Sequence, residues 1–139
     1  MRLFDAMTVS ASGMAAERVR MDLIANNLAN INTTRTVEGG PYQRQVAVFA
    51  EVMNQARRGN AYGMGVRVVG ISKDESPSPL IHDPGHPDAD EDGYVAMPNV
   101  NVVNEMVDMI TATRAYEANV TAMNAYKGMF LKALEIGRG

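Results

Sequence analysis

Apolar residues recur at seven-residue steps near both ends of the chain, and the pattern between the ends is different. Near the N-terminus Met7, Met14, Met21 and Leu28 stand at strict heptad steps, with Leu3, Ala11, Ile24 and Ile31 at the intervening three- and four-residue offsets. This spacing predicts a helix with one apolar stripe, about 40 Å long at 1.5 Å per residue. Near the C-terminus Met109, Tyr116, Met123 and Phe130 form a second strict row. Met106, Thr113, Val120 and Leu134 are its companions, with Lys127 the one exception. Asn101, just after Pro98, is the expected N-cap of this second helix, and Gly137 its expected stop.

In the middle Gly39, Gly40 and Pro41 break the helical pattern, and residues 42–50 alternate as a strand does. Further short strands are expected over 66–71, 79–82 and 94–96, with Gly59, Gly63 and Gly65 supplying the turn between the first two. Residues 72–93 hold seven acidic residues, one Lys and four prolines, which predicts a negatively charged surface loop. The expected fold class is α+β, mainly α: long terminal helices paired like a coiled coil, with a small irregular β region between them. The expected organisation is an N-terminal axial helix over 1–36, a β and loop region over 37–98 and a C-terminal axial helix over 99–139, all in one structural unit.

Composition narrows the function. Only 6% of residues are aromatic while Met supplies 11, so apolar surface is carried by adaptable side chains suited to helix seams. A net charge of -3 gives no basic footprint for nucleic acid, and no Lys/Arg run exists to dock a membrane. With 0 Cys, disulfides, thiolate catalysis and sulfur-ligated zinc are excluded. No apolar run reaches the roughly 18 residues of a spanning helix, and the start MRLFDAMTVSASGMAAERVR lacks a signal-peptide core. If the chain leaves the cytoplasm, a route without a cleavable signal is expected, and no direct membrane insertion is expected.

Candidate chemistry is thin. His82, Asp83, His86 and Asp88 could ligate a metal, but Pro84 and Gly85 forbid the helix that would place the two imidazoles on one face. Asp88, Asp90, Asp92 and Gly93 resemble the first half of a calcium loop, whose twelfth position would be Asn99, which has no carboxylate. The segment GNAYGMG has no following Lys-Ser or Lys-Thr for a phosphate cradle, and Ser10 and Ser12 lack a nucleophile-elbow context. No catalytic, cofactor or metal residues are expected, no small-molecule substrate, and no enzyme. A calcium- or metal-binding module remains an open alternative on the residues alone. So does a coiled-coil adaptor or secretion chaperone.

The helices themselves point to assembly. Two such helices can cover one stripe against the other, but alanines such as Ala15, Ala25, Ala112, Ala115 and Ala122 leave other faces open to close approach. Asn26, Asn27, Asn30 and Asn32 are unusual beside Leu28 and Ile31, because Asn is a poor helix former. They serve either as end caps or as amides that bridge to neighbouring backbone and fix register, and Asn119 and Asn124 pose the same choice.

The segment ANNLANINTTRT at 25–36 resembles the N-terminal signature of the flagellar axial family of rod, hook and hook-associated proteins. The ending MPNVNVVNEMVDMITATRAYEANVTAMN at 97–124 resembles the same family's C-terminal signature. Asn26, Asn27, Leu28 and Asn30 carry the first motif, and Arg114, Tyr116, Glu117 and Asn119 the second. The short middle, including DPGHPDADEDGYVAMPNVN at 83–101, is similar to that of a proximal rod subunit rather than a hook protein. The resemblance implies a structural subunit exported unfolded through the flagellar type III apparatus and added to a helical rod crossing the periplasm. Its implied partners are copies of itself, other rod proteins, the base of the rod and the export apparatus. The implied assembly seams contain Leu3, Met7, Met14, Met21, Leu28, Met106, Met109, Tyr116, Val120, Met123 and Phe130, and the implied role is to transmit torque.

Overall fold

The computed structural model describes residues 3–55 and 61–137, with side chains described over 4–53 and 63–137. Helix α1 spans Leu3–Ala29 and is rich in Ala, Met, Leu and Arg, all good helix formers. Helix α2 spans Val102–Ile136 and, at 35 residues, is about 52 Å long. Asn101 caps it as expected, its extended backbone turning its side chain to accept the Asn104 N–H at 3.1 Å. At the other end Gly137 returns its N–H to the Ala133 carbonyl at 3.2 Å, but with right-handed φ of -76°, so the left-handed freedom of glycine is not used there.

The two helices run antiparallel. Phe4 meets Phe130 edge to face with ring centroids 5.6 Å apart, a Cβ on Gly13 would stand 3.0 Å from the Asn119 amide, and Asn27 bonds Glu105 at 3.0 Å. This register sets Leu3, the first described residue of α1, opposite Met129.

Between the helices the small β region consists of two separate two-stranded ladders. Strands β1 (Gln45–Gln55) and β2 (Ala61–Lys73) form an antiparallel hairpin with irregularities at Val48/Phe49 and Glu51/Met53. The hairpin is longer than the alternation predicts, and Gly63 and Gly65 sit inside β2 rather than in the turn; Gly59 lies outside the described residues. Their role is close approach. At Gly65 φ is +116°, and a Cβ there would be 2.1 Å from Ser12 Oγ, which accepts the Val66 N–H at 3.1 Å. Only glycine lets β2 lie this near α1. Strands β3 (Leu80–His82) and β4 (Tyr94–Ala96) pair Ile81 with Val95, whose side chain is buried.

The core is small. Among the described residues the buried apolar side chains are Ala6, Ala16, Leu23, Ile24, Val95 and Ala112, and three of these are alanines. The chain exposes 9920 Å². A compact monomer of 15.1 kDa would expose about 7,100 Å².

Candidate assembly surfaces and the polar junction between them

The most deeply buried polar groups lie where the end of α1, the start of β1 and the start of α2 meet. Asn27 is 1% exposed and uses its whole amide. Its Nδ2 donates to the Gln45 carbonyl at 2.9 Å and to Glu105 Oε2 at 3.0 Å. Its Oδ1 accepts the Gln45 N–H at 2.9 Å and the Tyr42 hydroxyl at 2.9 Å. The side chain thus pairs with the first residue of β1 as a neighbouring strand would, fixing hairpin to helix. This is the bridging role open to these asparagines. Asn30 plays the other one, donating to the Asn26 carbonyl at 2.9 Å and accepting from the Thr33 hydroxyl at the helix end.

Glu105, 0% exposed, is the second anchor. Arg44 Nε donates to its Oε1 at 2.5 Å, and the same guanidinium reaches Asp108 Oδ2 at 3.1 Å. Asp108 also accepts from Arg20 at 3.2 Å, so both helices and β1 are tied by one charge network. Asn99 extends it, accepting the Arg44 N–H at 2.8 Å and donating to the Asp74 and Ser76 carbonyls. Burial alone would lower the Arg44 pKa, but the hydrogen bond and charge of Glu105, with Asp108 and Asp74, raise it above its ordinary value. Burial, aided by the Glu105 charge, pushes the Tyr42 phenol up. The cleft beside this junction is lined by Arg44, Asp74, Asn99, Asn101, Asn104, Val107 and Asp108, a set that contains no hydroxyl, thiol or imidazole.

The heptad rows occupy less buried ground than this junction. Met7, Met14, Met21 and Leu28 are half-buried, as are Met109, Tyr116, Val120, Met123 and Phe130, while Met106 is 54% exposed and the Leu3 side chain lies outside the described residues. The residues closing α1 on α2 stand one position earlier, at Ala6, Gly13, Arg20 and Asn27, and face Glu105, Ala112 and Asn119. Asn119 turns its amide to the Ala115 carbonyl at 2.9 Å beside Gly13, whose missing side chain makes room for it. Within the C-terminal motif Tyr116 is half-buried while Arg114 and Glu117 are exposed. In the N-terminal motif Asn26 is exposed.

The acidic loop is knit to the rest of the chain. Asp88 pairs with Arg35 at 2.5 Å and accepts the Thr34 hydroxyl at 2.8 Å. Asp90 accepts the backbone N–H groups of Asp92 and Tyr94, and His86 Nδ1 that of Asp88. His82 stacks edge-on against Tyr94. Among the described residues no group of three or more His, Asp or Glu is gathered as metal ligands. No described helix is long and apolar enough to cross a membrane.

Comparison with known proteins accounts for the arrangement. Residues 7–35 match the family model described as flagella basal body rod protein, and residues 91–136 the one described as flagellar basal body rod FlgEFG protein C-terminal. The chain is 50% identical to the flagellar basal-body rod protein FlgC of Borreliella burgdorferi, with 100% of each chain covered. It is 47% identical to that of Bacillus subtilis, over 99% of this chain and 100% of the relative, and 39% identical to that of Salmonella typhimurium over the same shares. The two matched segments contain most of α1 and all of α2, the helices that the Asn27–Glu105 junction ties together. The chain belongs to the FlgC family of flagellar basal-body rod proteins.

Proposed function

We infer that this chain is a structural subunit of the flagellar basal-body rod that polymerises through α1 and α2, carries torque along the rod and performs no catalysis. The observation that carries this reading is surface. The chain exposes 9920 Å², roughly 2,800 Å² above the compact expectation, which is about three and a half times the 800 Å² that one partner contributes to a standard interface. Large apolar side chains lie open along α2, where Val103, Met106, Val107, Ile110, Met129, Leu131 and Leu134 are all more than half exposed. A lone helix pair gains nothing by holding these in water, whereas a helical array covers them.

The half-buried Met7, Met14, Met21, Leu28, Met109, Tyr116, Val120, Met123 and Phe130 then serve both the pair within a subunit and contacts to its neighbours, with Met106 turned wholly to a neighbour. The neighbours are copies of this chain and other rod proteins. Delivery is through the export apparatus at the base of the rod, with the helices docking after passage. Charge cross-links from Arg44 to Glu105 and Asp108 keep the β hairpin from swinging against the helices under load.

Complementation of a strain lacking the subunit tests this. The unaltered gene restores basal-body rods and swimming. Met14→Asp and Met123→Asp place a carboxylate in a half-apolar seam and are expected to abolish both. Full motility with both variants refutes the seam assignment.

A further inference from the structure

In the acidic loop His86 closes a backbone turn with its ring, Nδ1 accepting the Asp88 N–H at 3.1 Å. A peptide N–H can only donate, so Nδ1 carries no proton and the imidazole is neutral, protonated on Nε2. The same turn attaches the loop to the rest of the chain. Asp88 Oδ2 accepts the Thr34 hydroxyl at 2.8 Å and its Oδ1 pairs with Arg35 at 2.5 Å, both from the segment that follows α1. Backbone bonds from His86 N–H to the Asp83 carbonyl and from Ala89 N–H to the His86 carbonyl wind the chain around this point. A cavity of about 220 Å³ lined by Thr34, Arg35, Gly40, Pro41, Asp88 and Ala96 lies beside the attachment, so packing contributes little there and the polar contacts carry it.

We propose that His86 makes this attachment acid-sensitive: proton uptake at Nδ1 opens the turn and frees the loop from the segment after α1, while the helix pair stays in place. An imidazole ordinarily takes up its second proton near pH 6.5. On Nδ1 that proton turns an acceptor into a donor facing another donor, and the Asp88 N–H loses its partner. The backbone that aims the Asp88 carboxylate at Thr34 and Arg35 is then no longer fixed.

The charged and titratable groups that the loop and its neighbours bring to this turn are Asp83, Asp88 and Asp90 of the loop itself, His82 and Tyr94 of the ladder that closes it, and Arg35 of the segment after α1. None offers a charged His86 a ready replacement. Both Asp88 oxygens are engaged by Thr34 and Arg35, Asp83 Oδ1 accepts the Gly85 N–H at 3.2 Å, and Asp90 Oδ1 accepts from Asp92 and Tyr94. The response is confined to the loop. Strands β3 and β4 hold its two ends through the Ile81–Val95 pair, and the Asn27–Glu105 junction contains no imidazole.

Hydrogen exchange of the purified full-length chain at pH 7.5 and pH 5.5, about one unit either side of the ordinary imidazole value, tests this while the Asp carboxylates stay ionised. Protection is read against an unstructured peptide of the same sequence at the same pH. Peptides over residues 86–94 are expected to lose protection about fivefold at pH 5.5, the equivalent of one hydrogen bond, while those over 102–112 show no such loss. His86→Asn places an amide oxygen where Nδ1 stood and does not titrate, so its loop holds at both pH values. His86→Ala, with no acceptor, is loose at both. Protection over 86–94 that stays level or rises in the unaltered chain at pH 5.5 overturns the proposal. An equal fall in His86→Asn also overturns it, since the response then belongs to another group.

Discussion

Replacing Asn27 by Ala removes four hydrogen bonds from a site that is 1% exposed. The two bonds to Gln45 backbone are worth about 1 kcal/mol each and the Tyr42 bond about the same, while the bond to the Glu105 carboxylate is charge-assisted and worth about 1.5–3 kcal/mol. Water entering the vacated space restores part of this, leaving a loss of about 3–5 kcal/mol. For a domain with a total stability of 5–15 kcal/mol that is a large fraction, about 2–3 M in urea midpoint at a slope near 1.5 kcal/mol per M. Asn26→Ala is the matched control, because Asn26 is exposed and it is its backbone carbonyl, kept in the variant, that accepts from Asn30. Urea unfolding of the purified chain, followed by far-UV circular dichroism, reads both. An Asn27→Ala unfolding free energy within about 0.5 kcal/mol (roughly the surface-mutation range) of that of Asn26→Ala would refute the claim that this amide locks helix to hairpin.

Other consequences follow from the same contacts. Gly65→Ala forces an L side chain into φ of +116° and onto Ser12 Oγ, and is expected to cost about 1–3 kcal/mol and to speed amide exchange across β2, whereas Gly70→Ala, with nothing within 4 Å, leaves that contact intact. Burial raises the Tyr42 phenol above its ordinary value of about 10 in the folded chain, so below that value it is protonated in both states. Above it the unfolded chain ionises first, and stability is lost as pH rises through the folded pKa. Tyr42→Phe should therefore lose about 1 kcal/mol near neutral pH and show a shallower alkaline decline than the unaltered chain, read by denaturant titration at successive pH values. Asp88→Asn weakens the tie to Arg35 and is expected to raise hydrogen exchange over residues 86–94 without changing the helices.

Much of the fold is legible in the sequence because helix periodicity and capping are local. The heptad rows place both helices, and Asn101 marks the start of α2 to the residue. The helix face that closes the pair is not legible from hydrophobicity, because Gly13, Arg20 and Asn27 on α1 and Glu105 and Asn119 on α2 carry little apolar signal. The Met row one position away carries the stronger pattern while remaining half in solvent. Arg44 and Glu105 are 61 residues apart, and nothing near either announces the other. The cluster of asparagines was the available clue, since a poor helix former beside Leu28 and Ile31 needs a compensating partner. Gly63 and Gly65 read as turn residues for a similar reason: a glycine that admits a neighbouring element looks in sequence like one that bends the chain.

The central claim is that the apolar surface left open by one chain is covered by its neighbours in the rod. Electron cryomicroscopy of isolated basal bodies, at a resolution that separates side chains, tests it most directly. The account predicts Met106, Val107 and Ile110 of α2 packed against helices of adjacent rod subunits, with the β1–β2 hairpin held to α1 through Gly65 and Ser12. A rod in which those α2 residues face water, with subunits joined through the β hairpins alone, would contradict it.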